Sequence, residues 1–221
     1  MEASREDRPL GLLVPAVAPG AEIPPEPPDV GARALYVAGR LLAGATTFFF
    51  LAFLFAYFYL RSLNENHQWH PGNVKAEQAL GAAILACVLL SAVLAIVAGR
   101  QMKAQSRSWL GPAIGALAFG LAAIALQCIE YVVQHFGPTD GGYASVFCAW
   151  TAFFAIAALA TMYWLETQIA TELRARRAPA QRDGDIKDPD RLIAPGLDAC
   201  VFFWSYLAGL GAVAYVTLYL L

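Results

Sequence analysis

The chain has 221 residues, of which 58% are hydrophobic and 14% charged, and its mean hydropathy is +0.51. Soluble domains run at about 45–50% apolar and about 25% charged, so this composition points away from an ordinary soluble globule and from a chain disordered throughout. With 15 Lys and Arg against 17 Asp and Glu, the net charge of -2 excludes a strongly basic nucleic-acid-binding surface.

Taken in chain order, residues 1–34 form a first segment. Seven of the 13 prolines fall between residues 9 and 28. The segment lacks the basic start, apolar core and small-residue cleavage site of a signal peptide, and it reads as an extended or disordered cytoplasmic arm. Residues 35–221 read as a five-helix transmembrane domain. Its spans are expected at about 41–60, 78–99, 108–129, 141–165 and 199–221, because these windows contain no Asp, Glu, Lys or Arg. Each is 20 to 25 residues long, and about 20 apolar residues at about 1.5 Å per residue cross a hydrocarbon core of about 30 Å. The long loop at about 167–195 is expected to be cytoplasmic. Its Glu166–Ala178 part is compatible with an extension of the fourth helix, and Pro179–Pro195 reads as a turn-rich loop.

The fold class is therefore an all-α integral membrane protein. Backbone groups in lipid need internal partners, and a β-barrel would show strands of alternating polarity. The run Phe48-Phe49-Phe50-Leu51-Ala52-Phe53-Leu54 shows no alternation. A soluble helical bundle would need polar stripes that most of these windows lack. Thirteen of the 15 basic residues precede the first span or fall in the second and fourth connections; only Arg61 and Lys75 fall on the other side. That asymmetry predicts a cytoplasmic N-terminus and an outside, periplasmic C-terminus.

Polar groups within spans are the usual pointers to chemistry in a membrane protein. Here they are Thr46 and Thr47 in helix 1, Gln127 and Glu130 towards the end of helix 3, and Asp198 and Ser205 in helix 5. No span carries a histidine, the commonest haem or copper ligand. His67 and His70 have an i, i+3 spacing, but Pro71 follows and no helical period surrounds them, so they read as interfacial groups beside Trp69 rather than metal ligands. Cys87, Cys128, Cys148 and Cys200 lie in separate spans with no Cys-x-x-Cys pair, and read as small packing residues. No catalytic, cofactor or metal residue is expected in this chain. Glu130 is the single most informative side chain: it is either a buried carboxylate bonded to a neighbouring helix or partner, or an interfacial one that reaches water. Gln127, three residues earlier, shares its helix face. Gly111 with Gly115, Ala116 with Gly120, and Ala208 with Ala212 are small-residue pairs that allow close helix approach. The dense aromatics of Phe48–Tyr59 must meet lipid, a partner, or both.

Several segments together resemble subunit III of haem–copper terminal oxidases, of the cytochrome c oxidase type, in the short five-helix bacterial form. Phe53-Leu54-Phe55-Ala56-Tyr57-Phe58-Tyr59-Leu60-Arg61 is similar to the family's aromatic first helix ending in Arg. Trp69-His70-Pro71 resembles the Trp-Pro loop after it. Gln127-Cys128-Ile129-Glu130-Tyr131 resembles the Gln-x-x-Glu-Tyr end of the third helix, and Tyr143-Ala144-Ser145-Val146-Phe147 the opening of the fourth. Phe203-Trp204-Ser205-Tyr206, running on to Tyr219-Leu220-Leu221, resembles the last helix. The chain departs from the pattern at three polar places. Thr47 stands where the family's first helix has Glu, Phe154 and Ala157 where its fourth helix has two histidines, and Trp204-Ser205-Tyr206-Leu207-Ala208 where its last helix reads Trp-His-Phe-x-Asp.

The resemblance implies a divergent, non-catalytic accessory subunit that packs on catalytic subunit I and binds phospholipid, with haem and copper held by partner subunits. The accessory subunit of a quinol oxidase or a nitric oxide reductase is an alternative, and a small membrane transporter a more distant one. The expected structural, partner or lipid contacts are Gln127, Glu130, Tyr131, Trp69, Trp204, Arg61, Arg100, Lys103 and Arg107. The last three bases, with aromatic helix 1, are expected to hold anionic headgroups.

Overall fold

The computed structural model describes residues 28–64, 69–71, 74–177 and 190–221. It is built from five helices: α1 (Pro28–Ser62), α2 (Gln78–Lys103), α3 (Leu110–Val133), α4 (Gly142–Arg177) and α5 (Asp190–Tyr215). A single 3-10 turn, Arg107–Trp109, precedes α3, and a π-helical turn, Val216–Leu220, follows α5. There is no strand among the described residues. All five helices are long and apolar enough to cross a membrane.

Two boundaries differ from the sequence expectation. α1 begins at Pro28, so the last part of the expected arm is helical; proline suits a first helical turn because its missing N–H has no partner there anyway. Residues 1–27 lie outside the described residues. α5 begins at Asp190 and runs through Pro195, where a loop was expected. Proline removes one ladder bond, but Ile193 and Leu197 on either side are buried, and tertiary packing outweighs the local signal. The expected extension of helix 4 is present, since α4 continues to Arg177. Residues 178–189 lie outside the described residues.

The connections follow from their residues. After α2, Gln105 takes a left-handed φ of 56°, and the Ser106 side chain accepts from the Ser108 backbone N–H to start the next turn. Between α3 and α4, Asp140 accepts from the Gly137 N–H at 2.6 Å, and Gly141 has φ of 121°, a conformation that favours glycine.

α2, α3, α4 and α5 pack as a closed circuit, each against the next, and α1 lies outside it against α5 and α4. Small residues bring the backbones together: Ala95, Ala98, Ala113, Ala116 and Ala144 are buried. Gly120 admits the Met162 side chain of α4, and Gly115 faces Leu94 of α2. Gly111 of the expected pair has nothing against it. On α1, Ala43, Phe50 and Tyr57 form a buried seam of seven-residue spacing. Phe50 meets Trp150 at 6.1 Å and Phe49 stacks on Phe153 at 4.9 Å, both on α4. Phe48 and Phe55 point away from the protein at 77% and 69% exposure. The aromatic helix thus divides into a face that packs on α4 and a face turned outward.

Arg33, Arg40, Arg100, Lys103, Arg174, Arg176 and Arg177 gather at one end of the bundle, hereafter the basic end. Arg61, Lys75 and Glu130 belong to the opposite end.

Candidate functional site

The polar constellation opposite the basic end is built around Glu130. It stands three residues from the end of α3, on the same face as Gln127, and both are buried. Gln127 Nε2 donates to Glu130 Oε2 at 2.6 Å. Tyr219 OH, from the π turn, donates to the same carboxylate, 2.8 Å from Oε1 and 2.9 Å from Oε2. The carboxylate therefore has protein donors on both oxygens, which a buried acceptor requires. Of the two sequence readings of Glu130, it is the buried carboxylate bonded to another helix that describes its surroundings.

The π turn that supplies Tyr219 is held by two other hydrogen bonds from neighbouring helices. Gln78 Nε2 at the start of α2 donates to the Tyr219 carbonyl at 2.8 Å. Tyr143 OH at the start of α4 donates to the Leu218 carbonyl at 2.7 Å. Tyr219 also packs its ring edge-on to Phe147 and stacks on Tyr215. Gly81 lies against the Tyr219 ring so closely that a Cβ there would overlap it.

Beside Glu130, a cavity of about 340 Å³ lies between the segment before α2 and the end of α3. Lys75, Glu77, Leu80, Glu130, Gln134, His135 and Phe136 are on its walls. A smaller cavity of about 40 Å³ lies deeper, between α2, α3, α4 and α5, with Gln127, Trp150, Thr151, Phe154, Tyr215 and Tyr219 among its lining residues.

The remaining candidate residues are dispersed. Tyr131 OH lies 2.7 Å from Thr151 Oγ1 of α4; Thr151 uses its own hydrogen on the Phe147 carbonyl, so the tyrosine donates. Trp69 is 5% exposed, buried by the fold. Its ring meets Tyr57 edge-on at 5.0 Å, and its carbonyl accepts from the Tyr143 N–H at 3.2 Å. His70, next to it, places Nδ1 2.8 Å from the Val74 carbonyl, so that nitrogen carries the hydrogen. Burial lowers the His70 pKa, aided by Lys75 and Arg61 nearby and opposed by the bond to Val74. His67 lies outside the described residues. Trp204 is buried, and its Nε1 donates to Ser91 Oγ at 3.0 Å. Arg61 is exposed over the Tyr57 ring. At the basic end Arg100 is exposed, Lys103 pairs with Asp198 at 2.6 Å, and Arg107 lies in the 3-10 turn, its side chain outside the described residues.

Thr47 and Tyr206 meet at 2.5 Å. Phe154 is buried among aromatics, including Phe50 at 6.2 Å, and Ala157 is half-buried. Sequence reasoning passed over Ser91, Thr151, Thr161 and Thr217, all buried within helices. A scan of every span for hydroxyls would have found them. Nothing in the sequence pointed to Tyr219 as the partner of Glu130, because the contact joins residues 89 positions apart.

Among the described residues, no group of three or more His, Cys, Asp or Glu side chains is placed to hold a metal ion. No curated protein matches the chain. The family model for cytochrome c oxidase subunit III matches residues 34–177, which carry α1 to α4 and so include the aromatic helix, Gln127 and Glu130. On that match and on its five apolar helices, the chain belongs to the cytochrome c oxidase subunit III family, multi-pass membrane subunits of haem–copper oxidases that associate with the other oxidase subunits.

Proposed function

We propose that this chain is the non-catalytic accessory subunit of a bacterial respiratory haem–copper oxidase, the complex that reduces oxygen to water and couples that reaction to proton pumping. In this reading it packs on catalytic subunit I, which holds haem and copper, and has no redox centre of its own. The observation that carries the proposal is the family match together with the chemistry of the interior. No histidine stands in any of the five helices. A scaffold needs shape and apolar surface, and those are what this bundle offers.

The same reading places the protein in the bacterial inner membrane with the basic end in the cytoplasm, supported by the 13 to 2 division of basic residues. It also gives the basic end a role in holding phospholipid. Arg100 is exposed there; Lys103 is paired with Asp198, and Arg40 stacks on Tyr36 and Phe202. The outward face of α1 supplies the apolar wall.

Purification of the tagged chain from its native membrane tests the assignment. The expected result is co-purification with haem-bearing subunits and no haem in the separated chain. A stoichiometric haem spectrum from the isolated chain would overturn it. The co-purified subunits also distinguish a cytochrome c oxidase from a quinol oxidase or a nitric oxide reductase. Native mass spectrometry should find retained phospholipid, reduced by Arg100→Gln.

A further inference from the structure

Among the described residues, two buried side-chain polar atoms have no hydrogen-bond partner: Gln134 Oε1 and Trp150 Nε1. Such atoms are rare in folded proteins and call for a partner. Both residues lie on cavity walls, Gln134 on the large cavity beside Glu130 and Trp150 on the smaller one below it. Trp150 is 1% exposed, and it lines that cavity.

The smaller cavity offers an acceptor as well as a donor. Gln127 gives its Nε2 to Glu130, and its carbonyl oxygen is an acceptor. Gln127 lines the same cavity as Trp150. A bound water needs space of about 10–15 Å³ and two or more polar partners; the cavity has about 40 Å³ with an orphan donor and an acceptor on its walls. Glu130 lies between the two spaces, on the wall of the large cavity and bonded to Gln127.

We propose that the cavity between α2, α3, α4 and α5 is a water-binding site, in which water joins Trp150 Nε1 to Gln127 Oε1, and that Glu130 links it to the larger cavity and the aqueous phase beyond. The larger cavity lies opposite the basic end, so the site is reached from that side of the bundle. It gives Glu130 a means of exchanging protons with water on that side. The site depends on the fold alone and holds whichever oxidase complex the chain joins.

Water-edited solid-state NMR tests this on the full-length chain in lipid bilayers with isotope-labelled tryptophan indoles, the Trp150 signal being assigned by its loss in Trp150→Phe. The expected result is magnetisation transfer from water to the Trp150 N–H, and exchange in heavy water about tenfold or more faster than at Trp204, whose N–H is held by Ser91. Gln127→Leu should remove the water contact at Trp150 and leave Trp204 unchanged. Glu130→Leu should slow Trp150 exchange about tenfold, while Glu130→Gln, which keeps the shape and polarity, should slow it less. A Trp150 N–H with no water contact, exchanging as slowly as that of Trp204, overturns the water site. Unchanged Trp150 exchange in Glu130→Leu overturns the link through Glu130. If either leucine variant fails to fold, the comparison of Trp150 with Trp204 in the unsubstituted chain still decides the first point, and Glu130→Gln the second: exchange as fast as in the unsubstituted chain counts against the link.

Discussion

Thr47 Oγ1 and Tyr206 OH lie 2.5 Å apart and join α1 to α5 within the bundle. Thr47 uses its own hydrogen on the Ala43 carbonyl at 2.7 Å, so Tyr206 is the donor. Both groups are neutral, so the pair needs no counter-ion. Interhelical bonds of this kind are worth about 0.6 kcal/mol in membranes, rarely above about 1.7. Tyr206→Phe and Thr47→Val are each expected to destabilise the chain by about 0.5–1.5 kcal/mol, with a coupling of about 0.6 kcal/mol in the double variant. Reversible unfolding of the four proteins measures this, and a coupling near zero would show that the bond carries no weight.

Gly81 is expected to tolerate no larger residue while Tyr219 is present. A Cβ there overlaps the Tyr219 ring, which is confined by Phe147 and Tyr215. Gly81→Ala should cost about 1–3 kcal/mol through overpacking, despite a gain of about 1 kcal/mol in helix propensity. The cost should disappear in Gly81→Ala combined with Tyr219→Leu. Equal thermal stabilities for Gly81→Ala and the unsubstituted chain would contradict this account.

Ser91 holds three helices at one point. Its hydroxyl donates to the Ala116 carbonyl of α3 at 2.6 Å and accepts from Trp204 Nε1 of α5. Ser91→Ala strands a buried indole N–H and should cost about 1–3 kcal/mol. The exposed pair of Lys103 and Asp198 offers a contrast: Asp198→Asn should change stability by less than about 1 kcal/mol. Chemical denaturation of both variants orders the two effects, and the reverse order would refute the reasoning.

His70 makes the loop before α2 sensitive to acid. Burial holds its pKa below the ordinary 6.5. As the pH falls through about 6.5 the unfolded loop takes up a proton and the folded one does not, so stability is lost on acidification and is unaffected at higher pH. The window runs downward from 6.5 to the lowered value in the folded chain. The protection of backbone amides around Val74, corrected for the slower intrinsic exchange in acid, should therefore fall between neutral and mildly acidic pH, and His70→Asn should abolish that dependence. An NMR titration placing His70 at or above 6.5 would rule it out.

Much of the architecture was legible because a membrane imposes it. Charge-free windows of 20 to 25 residues located every helix, and the i, i+3 spacing put Gln127 and Glu130 on one face. What sequence could not supply was the identity of contacts across long separations. Tyr219 reaching Glu130 and Tyr143 reaching Leu218 depend on where a π turn ends, which no local pattern encodes. Pro195 misled for a related reason: its local preference is for a break, and only the burial of Ile193 and Leu197 explains why the helix continues. For Trp69 the sequence left structural, partner and lipid contacts open, because an aromatic near a helix end looks the same whether it faces lipid or Tyr57.

The position of α1 outside the circuit has a consequence for how the chain is made. α1 leaves the ribosome before the other four helices, yet its main neighbours are α4 and α5, the last two. During synthesis it must therefore wait in the bilayer, with its phenylalanines solvated by acyl chains, until more than a hundred further residues have been inserted. A first helix rich in aromatic rings on every side is suited to that interval, being soluble in lipid before it has anything to dock on.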